Sequence, residues 1–180
     1  MTNSEEIFVS VDVEAAGPIP GEYSLLSIGA CVAYQPTQTF SCELQPINSN
    51  AVPEALAVSG HSLKGLEERG LPPANAMTAF SDWLSTLGSP RQSLVFVGLN
   101  APFDWSFINY YFHRFLGKNP FGFSALDIKA LYMGVYGSTW EETKSSKMAS
   151  RLGPVLKGNH NALDDALYQA ELFRLIRADR

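Results

Sequence analysis

Residues 7–14, IFVSVDVE, form an apolar, β-branched run that ends on two acids one residue apart, Asp12 and Glu14. Such a run reads as a central strand buried on both faces. Side chains alternate along a strand, so both carboxylates project to the same side, about 7 Å apart at roughly 3.3 Å per residue. Like charges held that close raise each other's pKa unless a cation lies between them, and hard carboxylate oxygens favour Mg²⁺ or Mn²⁺. The strand presents half of a metal site, and the rest of the chain must supply the other half.

Outward from this strand, residues 15–23 are a loop by their Gly and Pro content. Residues 24–34 and 39–44 read as strands joined by a turn at 35–38, an antiparallel hairpin. The Pro-, Gly-, Ser- and Asn-rich segment 46–73 holds short helices near 52–58 and 62–69. Met77, Phe80, Trp83 or Leu84, and Leu87 recur at helical spacing within 74–87. Residues 93–99 are a second buried-strand candidate, leading into a helix with Pro102 in its first turn and Gly117 at its stop. A short edge strand at 123–126 and a helix at 127–133 follow. The charged, Ser-rich stretch 136–150 reads as a mobile surface loop or short helix, and a last helix runs from about Asn161 to Ile176. This order predicts one α/β domain over residues 1–180, built on a mixed sheet.

The chain has 180 residues, 46% hydrophobic and 17% charged, enough to bury about 70% of its unfolded surface in one core. No apolar stretch approaches the ~20 residues of a membrane span, and the start, MTNSEE, lacks the basic and apolar regions of a signal peptide. The expectation is a cytoplasmic protein with no membrane contact. Cys31 and Cys42 flank the predicted turn. They read as two small buried hydrophobes, with a disulfide across the hairpin as the alternative. A net charge of −5 gives no sign of a basic face for long duplexes. Contact with nucleic acid would then be local, at a chain end, where bound divalent cations reverse the sign of the field.

Asp104 starts its helix on the same inward stripe as Ile108, Tyr111 or Phe112, and Phe115, just past the C-terminal end of strand 93–99, where α/β sheets gather their sites. Alone, it also fits a first-turn acid answering the helix dipole. In HNALDDA, residues 160–166, His160 sits at a loop-to-helix junction, and Asp164 and Asp165 flank the buried face on opposite sides. Periodicity leaves both acids open. His61 and His113 read as structural, since neither has an acidic partner in a strand-end context.

Asp12 and Glu14 in DVEAAG, Asp104 in NAPFD, and His160 with Asp165 in HNALDDA resemble, in order and spacing, the three motifs of the DEDDh 3′–5′ exonucleases. That family includes ribonuclease T, oligoribonuclease and the proofreading exonuclease of bacterial DNA polymerase III. The likeness runs from Ile7 to about Ile176, and the family's spacing of five between histidine and aspartate selects Asp165. The resemblance implies a ribonuclease H-like fold, a five-stranded mixed sheet flanked by helices. It further implies two divalent cations, Mg²⁺ or Mn²⁺, held by Asp12, Glu14, Asp104 and Asp165, with Asp12 as the bridge and His160 as the base. The implied activity releases nucleoside 5′-monophosphates from single-stranded 3′ ends, RNA slightly favoured over DNA. A DNA proofreading or repair exonuclease and a catalytically silent nucleic-acid-binding domain are the alternatives. Relatives occur as monomers and dimers, which leaves a homodimer an open expectation.

Two departures bear on substrate. Ala15 and Ala16, followed by Gly17, stand where the family often has threonines, so backbone groups can still approach a terminal nucleotide but hydroxyl contacts are lost. Asn100 follows Gly98 and Leu99, where some members carry a histidine, and either orients substrate or caps the next helix. Phe103 and Trp105 either stack on the last bases or belong to the core. Leu25 or Leu26 lies in the region where relatives wedge the terminal base.

Overall fold

Apolar residues on both faces bury the first strand, β1 (Glu6–Ala15), and it becomes the middle of the sheet. The computed structural model describes residues 6–89 and 92–179. Around β1 stand β2 (Leu25–Val32), β3 (Gln35–Glu43), β4 (Ser93–Gly98) and β5 (Ala125–Asp127), in the order β3-β2-β1-β4-β5. The β1–β2 and β2–β3 pairs are antiparallel, and β4 runs parallel to both β1 and β5. The five-stranded mixed sheet expected from the motifs is therefore present.

Alternation along β1 sorts its side chains. Val9, Val11 and Val13 face a layer made by α3 (Pro73–Thr86) and α4 (Ala101–Leu116), through residues such as Phe80, Tyr111 and Phe112. Phe8 faces the other layer, built from α5 (Ile128–Tyr136), α6 (Ser145–Leu152) and α7 (Ala162–Ala178). Phe80 lies 4.9 Å from Phe40 and 5.6 Å from Phe112, centroid to centroid, and each such pair adds about 0.5–1.5 kcal/mol beyond area burial. Two short helices, α1 (Pro53–Ser59) and α2 (Leu63–Arg69), lie close to the predicted 52–58 and 62–69, and Leu66 closes a small cluster on Ala16 and Leu26.

One expectation changes and two open readings are decided. The hairpin turn is at Ala33 and Tyr34, and β3 already begins at Gln35. Pro36 has no N–H to give the ladder, and the register slips just there, from Val32↔Gln35 to Cys31↔Thr39. The cysteines pair in register with Thr39 and Ile28, three positions apart, so they occupy opposite faces of the sheet. Both are free thiols, and burial pushes each up to about 12; the buried-hydrophobe reading holds and the disulfide does not. Of the two readings of 136–150, the ordered one holds: a 3-10 turn over Trp140–Thr143, begun by a Thr139–Glu142 capping box, and then α6. Among the described residues no helix is long and apolar enough to cross a membrane.

Candidate active site

The parallel pairing of β1 with β4 ends at Ser10↔Val97, so β1 outruns its neighbour and leaves the Val13 N–H unclaimed by the ladder. Asp104, in the first turn of α4 and 4% exposed, accepts that N–H at 3.0 Å. Its carboxylate is thus held at the end of β1, while it also accepts its own backbone N–H in the first turn of α4. The side chains of Ser10, Asp12 and Glu14 share the opposite face, toward α7, and the register of β1 on β2 shifts between Glu14 and Ala15.

α7 comes unusually close to the sheet. Ser10 donates from its hydroxyl to the Ala166 carbonyl at 2.8 Å. Gly29, paired with Asp12 on β2, faces the α7 terminus so tightly that a Cβ there would lie 2.1 Å from the Ala162 carbonyl carbon. This approach brings Asp165 to Glu14. Ligand-capable atoms of Glu14, His160 and Asp165 all lie within 4.8 Å of one another. Asp164 is exposed and bonded to the Asn159 amide at 2.7 Å. Of the two acids that periodicity left open, Asp165 is the one at the cluster. His160 has a left-handed backbone, φ 62°, and its N–H and that of Asn159 donate to the Asp165 carboxylate at 3.1 and 2.8 Å.

The four acids converge and repel. Asp12 is raised well above the usual carboxylate range, first by loss of hydration and then by Asp104, Asp165 and Glu14, against a hydrogen bond from Gln169. Glu14 is pushed up to about 7 by burial and Asp165. Asp104 goes up to about 8 through burial, offset by the Val13 N–H. Among the described residues, ion pairs with Lys or Arg go to Glu43 and Glu141, and none reaches these four. Clustered carboxylates with hard oxygen donors and no protein cation fit Mg²⁺ or Mn²⁺.

Two residues outside the expected site belong here: Gln169, which the sequence did not single out, and His61, which it gave a structural role. Gln169, 4% exposed on α7, donates from its amide to Asp12 Oδ1 at 2.5 Å and accepts the Leu99 N–H at 2.9 Å, tying β1 and the end of β4 to α7. His61 reads from the sequence as structural, without an acidic partner in a strand-end context. It lies 3.2 Å from the hydroxyl of Ser27, which pairs with Glu14, and 3.7 Å from Glu43. Burial lowers its pKa. A cavity of about 410 Å³ opens between His61 and His160, with Ser27, Ser41 and Glu43 in its wall.

The expected substrate residues fare unevenly. Leu25 is fully buried with its N–H on the Tyr111 hydroxyl, and Leu26 is equally buried, so neither is free to wedge a base. Asn100 does not cap α4 with its side chain; its backbone is left-handed, φ 66°, and Asp127 accepts the N–H groups of Asn100 and Ala101. Trp105 packs edge-on against Phe96, and half-buried Phe103 packs on Phe107. Ala15, Ala16 and Gly17 are buried, with the Ala16 N–H and carbonyl already bonded to Ser24 and Val52. A Cβ on Gly17 would lie 2.5 Å from the Tyr23 ring.

This fold is that of the DEDDh 3′–5′ exonucleases. The nuclease domain of 3'hExo, described as a DEDDh family member and solved bound to rAMP, superposes with a TM-score of 0.75 at 18% identity, over 98% of this chain and 92% of that one. Exonuclease I of E. coli in complex with a dT13 oligonucleotide gives 0.73 at 16% identity, over 96% of this chain and 41% of that one. A family model, the 3'-5' exoribonuclease Rv2179c-like domain, matches residues 7–177, and the chain belongs to that family. It is 56% identical over 176 residues to the 3'-5' DNA exonuclease Cap18 of Escherichia coli, which covers 98% of this chain and 94% of that protein. The chain is accordingly a 3′–5′ exonuclease, a hydrolase of phosphodiester bonds.

Proposed function

We propose that the whole chain acts as a single metal-dependent exonuclease domain that removes nucleoside 5′-monophosphates from single-stranded 3′ ends. The observation that carries this is the convergence of Asp12, Glu14, Asp104 and Asp165 beside His160. These four carboxylates would hold two Mg²⁺ or Mn²⁺ ions. When bound, such ions lower the pKa of water and neutralise charge on the phosphate.

The chain's own groups do the rest. Asp104 and Gln169 fix the end of β1 so that Asp12 and Glu14 face the scissile phosphate. His160 takes the proton of the attacking water, a task suited to an imidazole at neutral pH. The water oxygen bonds to phosphorus, the 3′ oxygen of the preceding nucleotide leaves, and the terminal nucleotide departs with a 5′ phosphate. The cavity beside His160 would take part of the strand, with Ser27 and His61 as hydrogen-bonding groups.

DNA is the favoured polymer, because the relative 56% identical over nearly the whole chain is named a DNA exonuclease. RNA, the substrate first expected, remains the second reading, favoured by the family's description as exoribonuclease. Single-stranded DNA and RNA of one sequence, 5′-labelled and mixed in one reaction, decide between them. Faster shortening of the DNA supports the first reading; faster shortening of the RNA supports the second.

A further inference from the structure

The loop that carries His160 has almost nothing to pack on. Residues 155–160 are all exposed, Val155 at 86% and Leu156 at 41%, so burial of their side chains does not fix the path. Three carboxylates of α7 do: Asp164 through the Asn159 side-chain amide, and two more through backbone N–H groups. Asp165 accepts the N–H groups of Asn159 and His160, as described. Six residues further along the helix, about 9 Å at 1.5 Å per residue, Glu171 accepts the N–H groups of Val155 and Leu156, one on each oxygen, both at 2.9 Å.

The two clamps differ in one respect. Asp165 is assigned to metal, and a carboxylate that gives lone pairs to a cation has fewer for amides. Glu171 stands outside the candidate metal cluster. Charge-assisted hydrogen bonds of this kind are the strong class, and a paired one has directional specificity as well.

We propose that Glu171 is a positioning residue for His160: it anchors the start of the catalytic loop on α7 and keeps the imidazole over the carboxylates when Asp165 is engaged elsewhere. The inference rests on His160 acting as the base. Glu171→Gln keeps one acceptor oxygen and replaces the other with an amide donor, so it retains half of the anchor; Glu171→Ala retains none.

The test has two arms. In metal-free protein, hydrogen exchange at Val155 and Leu156 should rise at least about tenfold in E171A and less in E171Q; with Mn²⁺ added, so that Asp165 is engaged, exchange at His160 should rise as well, while β1 and β2 amides stay protected. In loaded enzyme, E171A should lower kcat about tenfold with KM changed less than about twofold, and should lower nothing further in an H160A background. Unchanged exchange at His160 with Mn²⁺ added, or an equal fall of kcat in both backgrounds, overturns the proposal. Wild-type turnover in H160A overturns the assignment of the base, and with it this role, whatever the exchange arm gives; a loss of turnover in H160A with no exchange effect in E171A overturns the anchor alone.

Discussion

Gly29 and Ala162 meet backbone to backbone, closer than any side chain at position 29 permits. A Cβ there would lie 2.1 Å from the Ala162 carbonyl carbon and 2.2 Å from the Leu163 nitrogen. Because Gly29 pairs with Asp12, this contact sets how near α7 comes to the first two acids. Glycine within a strand marks such an approach. Gly29→Ala should destabilise the protein by at least about 2 kcal/mol, since the clash is with backbone and not with a movable side-chain end. It should also lose exonuclease activity at temperatures where it remains folded. Thermal melts and a 3′-shortening assay on the same sample check both.

Gln169 holds Asp12 and Leu99 at once. Gln169→Leu should lose about 1–3 kcal/mol through the stranded Leu99 N–H, and kcat should fall through a mis-set Asp12 without a comparable rise in KM. Gln169→Glu sets a carboxylate against Asp12 Oδ1 and should do worse near neutral pH, recovering part of the loss as the pH is lowered and a proton is shared. Kinetics of both variants between pH 6 and 8.5 separate the two effects.

Stability of the metal-free protein should fall as pH rises. Glu14 goes from 4.5 up to about 7 and Asp104 from 3.8 up to about 8 on folding, with Asp12 raised as well. The folded chain binds more protons than the unfolded one in this window, so the slope of unfolding free energy against pH is negative. The contribution is whole below about pH 4 and lost on the way to about pH 8. In EDTA, the melting temperature at pH 8 should lie below that at pH 5.5, and Mn²⁺ should raise it at pH 8 far more than at pH 5.5. A melting temperature in EDTA that rises from pH 5.5 to 8 would contradict the raised pKa values that burial, and then mutual repulsion, give these acids.

The first strand and its two acids were legible because alternation fixes which side chains share a face. Asp104 was legible in its stripe and its strand-end position. Asp164 and Asp165 were not separable by periodicity, because both lie at the border of the buried face; the family spacing chose between them and contact with Glu14 makes the same choice. Gln169 gave one unused signal: it stands one helical turn after Asp165, a polar side chain among apolar ones. Gly29 gave another, an isolated glycine inside a strand. His61 could not be found from spacing, since Ser27 and Glu43 reach it only through the β2–β3 hairpin. The turn went wrong because Gln and Thr around Pro36 resemble a loop, while the chain reverses two residues earlier and absorbs the proline as a slip in register.

The most direct measurement follows 5′-labelled single strands with Mg²⁺, with Mn²⁺ and with EDTA, for the unaltered chain and for Asp12→Ala, Asp165→Ala and His160→Ala. A ladder shortening from the 3′ end is expected with either metal and none with EDTA. Both aspartate variants should lose at least about 100-fold, and His160→Ala should lose most turnover while its melting temperature is kept. Full activity in Asp12→Ala, shortening in EDTA, or cuts inside the strand would contradict it.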